Sequence, residues 1–302
     1  MPTFSAARGD FEFVDAHGVT VHYYVWRAGS PRGVVQIAHG VGEHALRYDE
    51  LAQRLVHAGY TVYADDHRGH GATGLGQWGG DHTKLGRLGV GGLRAAEDAV
   101  VQLTGIARDE NPTLPLVMLG HSWGSLMVQR LVDRQASLFD AVVLSGTVYR
   151  MPGSMNGGDL NARHKHLGTT GYEWLSRDQS VAAEAAADPL MVDAKVAQLF
   201  GYRDAVRLFG RPAASLDRDV PVLILVGSDD PLGGEESAEK LATAYINRSG
   251  LTDVELIAYQ GARHEVFKET NREQVFADLI EWLDSHVDAV PEGGTPAVSG
   301  DV

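Results

Sequence analysis

The spacing of apolar residues changes along the chain, and each change marks an element. Phe11 to Ala28 alternates and carries Val, Tyr and Trp, which predicts a two-stranded hairpin turned at His17-Gly18. The run from Gly33 to Gly40 is apolar apart from Gln36 and His39 and reads as a short buried strand ending at glycine. Tyr48 to Gly59 sets Leu51, Leu55 and Val56 on one face and stops at Gly59, the pattern of a helix. A strand follows at Thr61 to Asp65. Gly69 to Gly80 is glycine-rich and reads as a loop. Leu93 to Arg108 then reads as a helix, Leu116 to Leu119 as a strand, Ser122 to Gln135 as a helix and Ala141 to Leu144 as a strand. Strands alternating with helices of this length predict a mostly parallel sheet covered on both faces.

From about residue 149 to 218 the alternation stops. This stretch is helix-prone and contains no convincing strand. The alternation resumes with a strand at Val222 to Val226, a helix at Glu235 to Asn247 and a strand at Val254 to Ala258. A last helix is predicted from Thr270, with a capping box to Glu273 and a buried face of Phe276, Leu279, Ile280 and Leu283. Past residue 288 the Pro- and Gly-rich sequence predicts a disordered tail. The domains expected are therefore an α/β core from 1–148 and 219–288, a helical cap at 149–218 and a tail at 289–302. An insert that follows the C-terminal end of a strand sits over the place where open α/β sheets bind ligands, so the cap is expected to act as a lid.

Composition narrows the partners. The chain has 302 residues, 44% of them apolar and 22% charged, with a formal net charge of -14. That sign argues against a nucleic-acid partner, which needs clustered positive charge, and against docking on an anionic membrane. There is no cysteine, so disulfides, thiolate nucleophiles and cysteine metal sites are ruled out. Apolar runs such as Val220 to Val226 are far too short for an integral membrane segment. The N-terminal sequence lacks a basic start followed by an apolar run, and a cytoplasmic location is the expectation.

The candidate chemistry lies where strands end. Gly120-His-Ser122-Trp-Gly124 matches Gly-x-Ser-x-Gly, with a buried strand running in and an apolar helix running out. A serine held on so sharp a turn needs small neighbours two residues away on either side, and the start of the helix favours negative charge developing beside it. A serine hydroxyl needs a base. Outside the insert only His264 and His286 follow Ser122. His286 ends an amphipathic helix, whereas His264 lies just past a strand, which makes His264 the candidate. Gly227-Ser-Asp-Asp-Pro231 directly follows the preceding strand. Asp229 and Asp230 both have the chemistry to accept the imidazole's other N–H, and spacing does not separate them. An oxyanion hole needs two backbone N–H donors. Trp123, after the nucleophile, offers one, and Val41 in the loop His39-Gly-Val-Gly-Glu-His44 offers the other. His39 and His44 lack a third ligand at a metal-binding spacing, so no metal is expected, and the chemistry calls for no cofactor.

The stretch His39 to His44 with Arg47-Tyr48, then Asp66-His-Arg-Gly-His-Gly71, then Gly120 to Gly124, resembles the monoacylglycerol lipase and lysophospholipase-like branch (serine aminopeptidase S33 type) of the α/β hydrolases. Gly227-Ser-Asp-Asp230 and Gly261-Ala-Arg-His264 are similar to that branch as well. The resemblance covers roughly residues 12 to 287. It implies the α/β-hydrolase fold with an eight-stranded sheet, a triad of Ser122, Asp230 and His264, and an oxyanion hole from the amides of Val41 and Trp123. Two positions depart from the branch. Trp123 stands where a small or flexible residue, often methionine, is usual, and Asn161 to His166 matches no known glycerol-binding site.

Together these observations predict a serine carboxylic-ester hydrolase that acts on monoacylglycerol-like or other monoesters, with a small-molecule ester as its partner, through an acyl-enzyme. Lid residues Leu175, Met191, Leu199, Phe200 and Phe209 suggest a sizeable apolar pocket, which favours monoacylglycerols or similar monoesters. Two alternatives share the scaffold. One is an esterase for carboxylate-bearing half-esters recognised by Arg163, Lys165 and His166. The other is an acyltransferase. A binding module without turnover is a third class, against which the complete set of catalytic residue types weighs. Dehalogenase or epoxide-hydrolase chemistry is disfavoured, because those reactions on this fold typically place aspartate at the elbow.

Overall fold

The computed structural model describes residues 6–287; the tail expected at 289–302 lies outside them. Eight strands form one sheet in the order β1-β2-β4-β3-β5-β6-β7-β8. They are β1 (Arg8–Val14), β2 (Thr20–Trp26), β3 (Gly33–Ala38), β4 (Tyr60–Asp65), β5 (Leu116–His121), β6 (Ala141–Ser145), β7 (Val222–Gly227) and β8 (Val254–Tyr259). β1 and β2 form the expected hairpin. Its turn is held by the Asp15 carboxylate, which accepts the amides of His17 and Val19. β2 pairs with β4 antiparallel, and every later pairing is parallel.

The central strands are buried along their whole length, because both faces are covered. Val34, Met118, Leu144 and Ile224 point to one face, and Val35, Leu119, Val143 and Leu225 to the other. On the first face lie α3 (Gly92–Glu110), α4 (Trp123–Gln135) and α8 (Gly234–Ala244), packing Val100, Leu131 and Leu241 among others. On the second face lie α1 (Asp49–His57) and α9 (Arg272–Val287), packing Leu55, Leu279 and Leu283. Successive strand residues alternate sides, so one sheet serves two cores.

Three expectations need correction. The glycine-rich stretch is not all loop: Gly71–Gln77 forms a helix, α2. Glycines are poor helix formers, and tertiary contacts override that here. The Asp66 carboxylate accepts the Ala72 amide at 2.7 Å, and Thr73 Oγ1 accepts the His22 amide at 2.8 Å. The last helix begins at Arg272 rather than Thr270, and no capping box forms. The Thr270 amide donates to Glu269, while Glu273 reaches out to Arg54. Finally, the stretch between β6 and β7 has little helix: α5 (Gln179–Ala187), α6 (Val196–Phe200) and α7 (Tyr202–Arg207), with irregular chain before them. That irregular chain is held by side chains. Glu173 accepts from Asn161, Thr170 and Gly171, and Arg263 donates to the carbonyls of Glu173 and Ser176.

Candidate active site

β5 ends at His121, and α4 starts one residue after Ser122. Ser122 makes the corner with φ 52° and ψ -122°, and it is the only residue other than glycine with positive φ among the described residues. Such a conformation is strained for an L-residue and persists only where its surroundings impose it. The Ser122 amide donates to the Ser145 carbonyl of β6 at 3.0 Å, and its carbonyl accepts from Leu126 and from Ser125 Oγ. The flanking glycines are needed for close approach. A Cβ at Gly124 would collide with the carbonyl oxygens of Ala38 and His39, and one at Gly120 would stand 2.7 Å from the Ser125 Cα. α4 therefore packs directly on the end of β3, and this brings the loop that carries Val41 to the serine. A Cβ built on Gly40 would lie 3.0 Å from the Ser122 Cβ.

His264, in the loop after β8, is 1% exposed. Its Nδ1 meets Asp230 Oδ2 at 2.8 Å, and its Nε2 is buried with no hydrogen-bond partner. Asp230 is also buried, and its other oxygen accepts the Leu232 amide. Burial disfavours charge on the imidazole, but attraction to the Asp230 carboxylate and the hydrogen bond to it outweigh that and raise the His264 pKa above the ordinary value of 6.5. The two aspartates that spacing left equivalent are thus separated. Asp230 faces His264, while Asp229 turns outward and binds Arg163 at 2.5 Å and His164 Nε2 at 2.9 Å. The His121 ring lies 4.8 Å from that of His264, and burial pushes its pKa down to about 4.

The amides of Val41 and Trp123 donate to no other group among the described residues. The loop that carries Val41 is held by Glu43. This carboxylate accepts the Gly40 amide at 2.6 Å, the Tyr48 hydroxyl at 2.7 Å and Arg47 Nε at 3.2 Å. Arg47 also forks onto Glu265, next to His264, at 2.7 and 2.8 Å, and Lys268 pairs with Glu265 at 3.3 Å. A buried ionic chain therefore joins the loop that carries Val41 to the loop that carries His264. Burial alone would raise the Glu265 pKa, but Lys268 and Arg47 drive it well below the carboxylate range. Sequence reading missed this network. Glu43 and Arg47 carry a signal only in being four residues apart, and Glu265 is 218 residues from Arg47.

The histidines that suggested a metal have other partners. His39 Nδ1 donates to the Gly40 carbonyl and its Nε2 accepts the His67 amide, while His44 Nε2 pairs with Asp188. Among the described residues no group of three or more His, Asp or Glu is placed to hold a metal ion. The chain between β6 and β7 reaches each of these loops. The Val192 amide donates to the Gly42 carbonyl, the Leu175 carbonyl accepts the Glu265 amide, the Trp174 ring lies 4.8 Å from His264, and Phe200 lies 4.8 Å from Trp123. Ser122 is consequently only 8% exposed. Of the three residues considered for anion recognition, Arg163 already binds Asp229, and Lys165 and His166 are exposed to solvent.

A sheet of this order, with serine at the elbow after its fifth strand, defines a serine hydrolase of the α/β-hydrolase fold. Residues 29–271 match the family described as serine aminopeptidase, S33. The chain belongs to that family. It is 34% identical to the monoacylglycerol lipase of Mycolicibacterium smegmatis, over 94% of this chain and 99% of the relative. It is 28% identical to the human monoglyceride lipase, over 89% of this chain and 88% of that protein. Among solved structures, a carboxyl esterase from Bacillus coagulans in complex with glycerol shares the fold with a TM-score of 0.81 at 24% identity, covering 93% of this chain and 99% of that one. No helix among the described residues is long and apolar enough to cross a membrane.

Proposed function

We propose that this chain hydrolyses carboxylic monoesters of the monoacylglycerol type, with Ser122 as nucleophile, His264 as general base and acid, and Asp230 as the group that orients and charges the imidazole. His264 Nε2 takes the Ser122 Oγ proton as that oxygen attacks the ester carbonyl carbon. The carbonyl oxygen gains charge and accepts the Val41 and Trp123 amides. The C–O bond to the alcohol breaks, and the imidazolium protonates the leaving alkoxide. A water then repeats the sequence on the acyl-serine and releases the acid.

One observation carries this reading: an imidazole fixed by a buried carboxylate on one side, with a bare nitrogen on the other, packed on His121, the residue before a strained serine. The Nδ1–H donates to Asp230, which leaves Nε2 as the lone-pair nitrogen a general base requires. The likeness to monoacylglycerol and monoglyceride lipases supports the ester class, and the cap expected at 149–218 would cover the bound acyl group. Acyl release from a monoacylglycerol by wild type and by Ser122→Ala tests the proposal. We expect turnover only with the serine; equal rates would remove it.

A further inference from the structure

Trp123 supplies a backbone amide to the oxyanion site, so its side chain leaves the chain within one residue of the acyl carbon of a bound ester. That side chain is a buried indole fixed on one side and gated on the other. The fixed side is a wall of histidines. His70 stacks on Trp123 at 5.2 Å, His67 meets it edge-on at 5.4 Å, and His39 stacks behind His67 at 4.0 Å. Each ring is pinned: His70 Nδ1 to the Arg68 carbonyl at 2.9 Å, His67 Nδ1 to Asp65 at 2.8 Å, and His39 to Gly40 and the His67 amide. All three are at most 1% exposed, so the indole has nowhere to retreat.

The other side is Phe200, whose ring tilts onto the indole at 4.8 Å and 51°. Phe200 ends α6, a five-residue helix with no buried residue, and is followed by Gly201 at φ 80°. The contact is therefore held from a weakly anchored element. Two cavities of about 380 and 250 Å³ border the site, the first reaching His121 and Glu265 and the second Asp230; both are lined largely by charged and polar residues, and neither is lined by Ser122, Trp123 or Phe200. Neither offers an apolar channel to the serine.

We infer that Trp123 and Phe200 together set the acyl-chain length: the closed molecule accepts short acyl groups, and a long chain enters only by displacing Phe200. The inference rests on the ester-hydrolase reading above and narrows it to short-acyl monoesters. The test is kcat/KM on glycerol monobutyrate and glycerol monododecanoate, below the aggregation concentration of the latter, for wild type, Trp123→Met and Phe200→Ala. The ratio of the two substrates is read within each variant, so loss of overall activity does not affect it. We expect wild type to favour the butyrate, and each substitution to move the ratio toward the dodecanoate by about tenfold or more, since even a single methylene finding room is worth roughly that much. Because Phe200 is only partly buried, its variant reports even if the Trp123 variant folds poorly. A wild type that favours the dodecanoate, or a ratio unmoved in both variants, overturns the inference while leaving ester hydrolysis intact. Failure of wild type to hydrolyse either ester overturns the underlying reading and this one with it.

Discussion

Asp230 and Asp229 are neighbours in sequence with opposite surroundings. Asp230 is buried against the imidazole, whereas Asp229 is partly open and tied to Arg163 and His164. Replacing Asp230 by Asn keeps the shape but presents the wrong partner to Nδ1–H, and should lower kcat by roughly 10³- to 10⁴-fold; steady-state rates check it. The sign of the pH dependence follows from the same pair. His264 must be neutral to accept a proton, and Asp230 favours its charged form, so kcat/KM rises with pH through a midpoint above 6.5. A pH–rate profile with that limb below 6.5 would contradict the pairing. None of this separation was legible from spacing. Both aspartates follow β7 directly; the family resemblance implied Asp230, and in the fold the return of β8 sets His264 against it.

At the scale of elements, the elbow was legible and its supports were not. A buried strand, a Gly-x-Ser-x-Gly turn and an apolar helix give a local pattern, and Ser122 lies where that pattern puts it. α2 was illegible because its stability comes from Asp66 and Thr73 contacts rather than from its own glycine-rich sequence. The stretch Asn161 to His166 was also opaque. Its Arg163 and His164 dock on Asp229, one residue from Asp230. Asp229→Ala should loosen that dock without touching the Asp230–His264 pair. We expect KM to rise by roughly tenfold, with a smaller change in kcat, a decade corresponding to about 1.4 kcal/mol of binding. Steady-state kinetics on one neutral ester separates the two parameters.

Across the whole molecule, the parallel strands bring residues from distant parts of the chain to one end of the sheet, with Ser122 after β5, Asp230 after β7 and His264 after β8, and strand–helix alternation predicted that much. The tie between the loops that carry Val41 and His264 is a long-range property. Arg47, itself buried, compensates both Glu43 and Glu265. Removing one member of a buried ionic set leaves charge without compensation, so Arg47→Ala should cost about 3–5 kcal/mol of stability, measured by urea unfolding. A loss below about 1 kcal/mol would show that the network is not a structural tie.

The most direct measurement of the assigned chemistry is covalent labelling by a fluorophosphonate, located by peptide mass spectrometry and timed in wild type and His264→Ala. We expect a single adduct on Ser122 and a labelling rate that falls by about 10³-fold or more without the imidazole. An adduct on another residue, or an unchanged rate in His264→Ala, would contradict it.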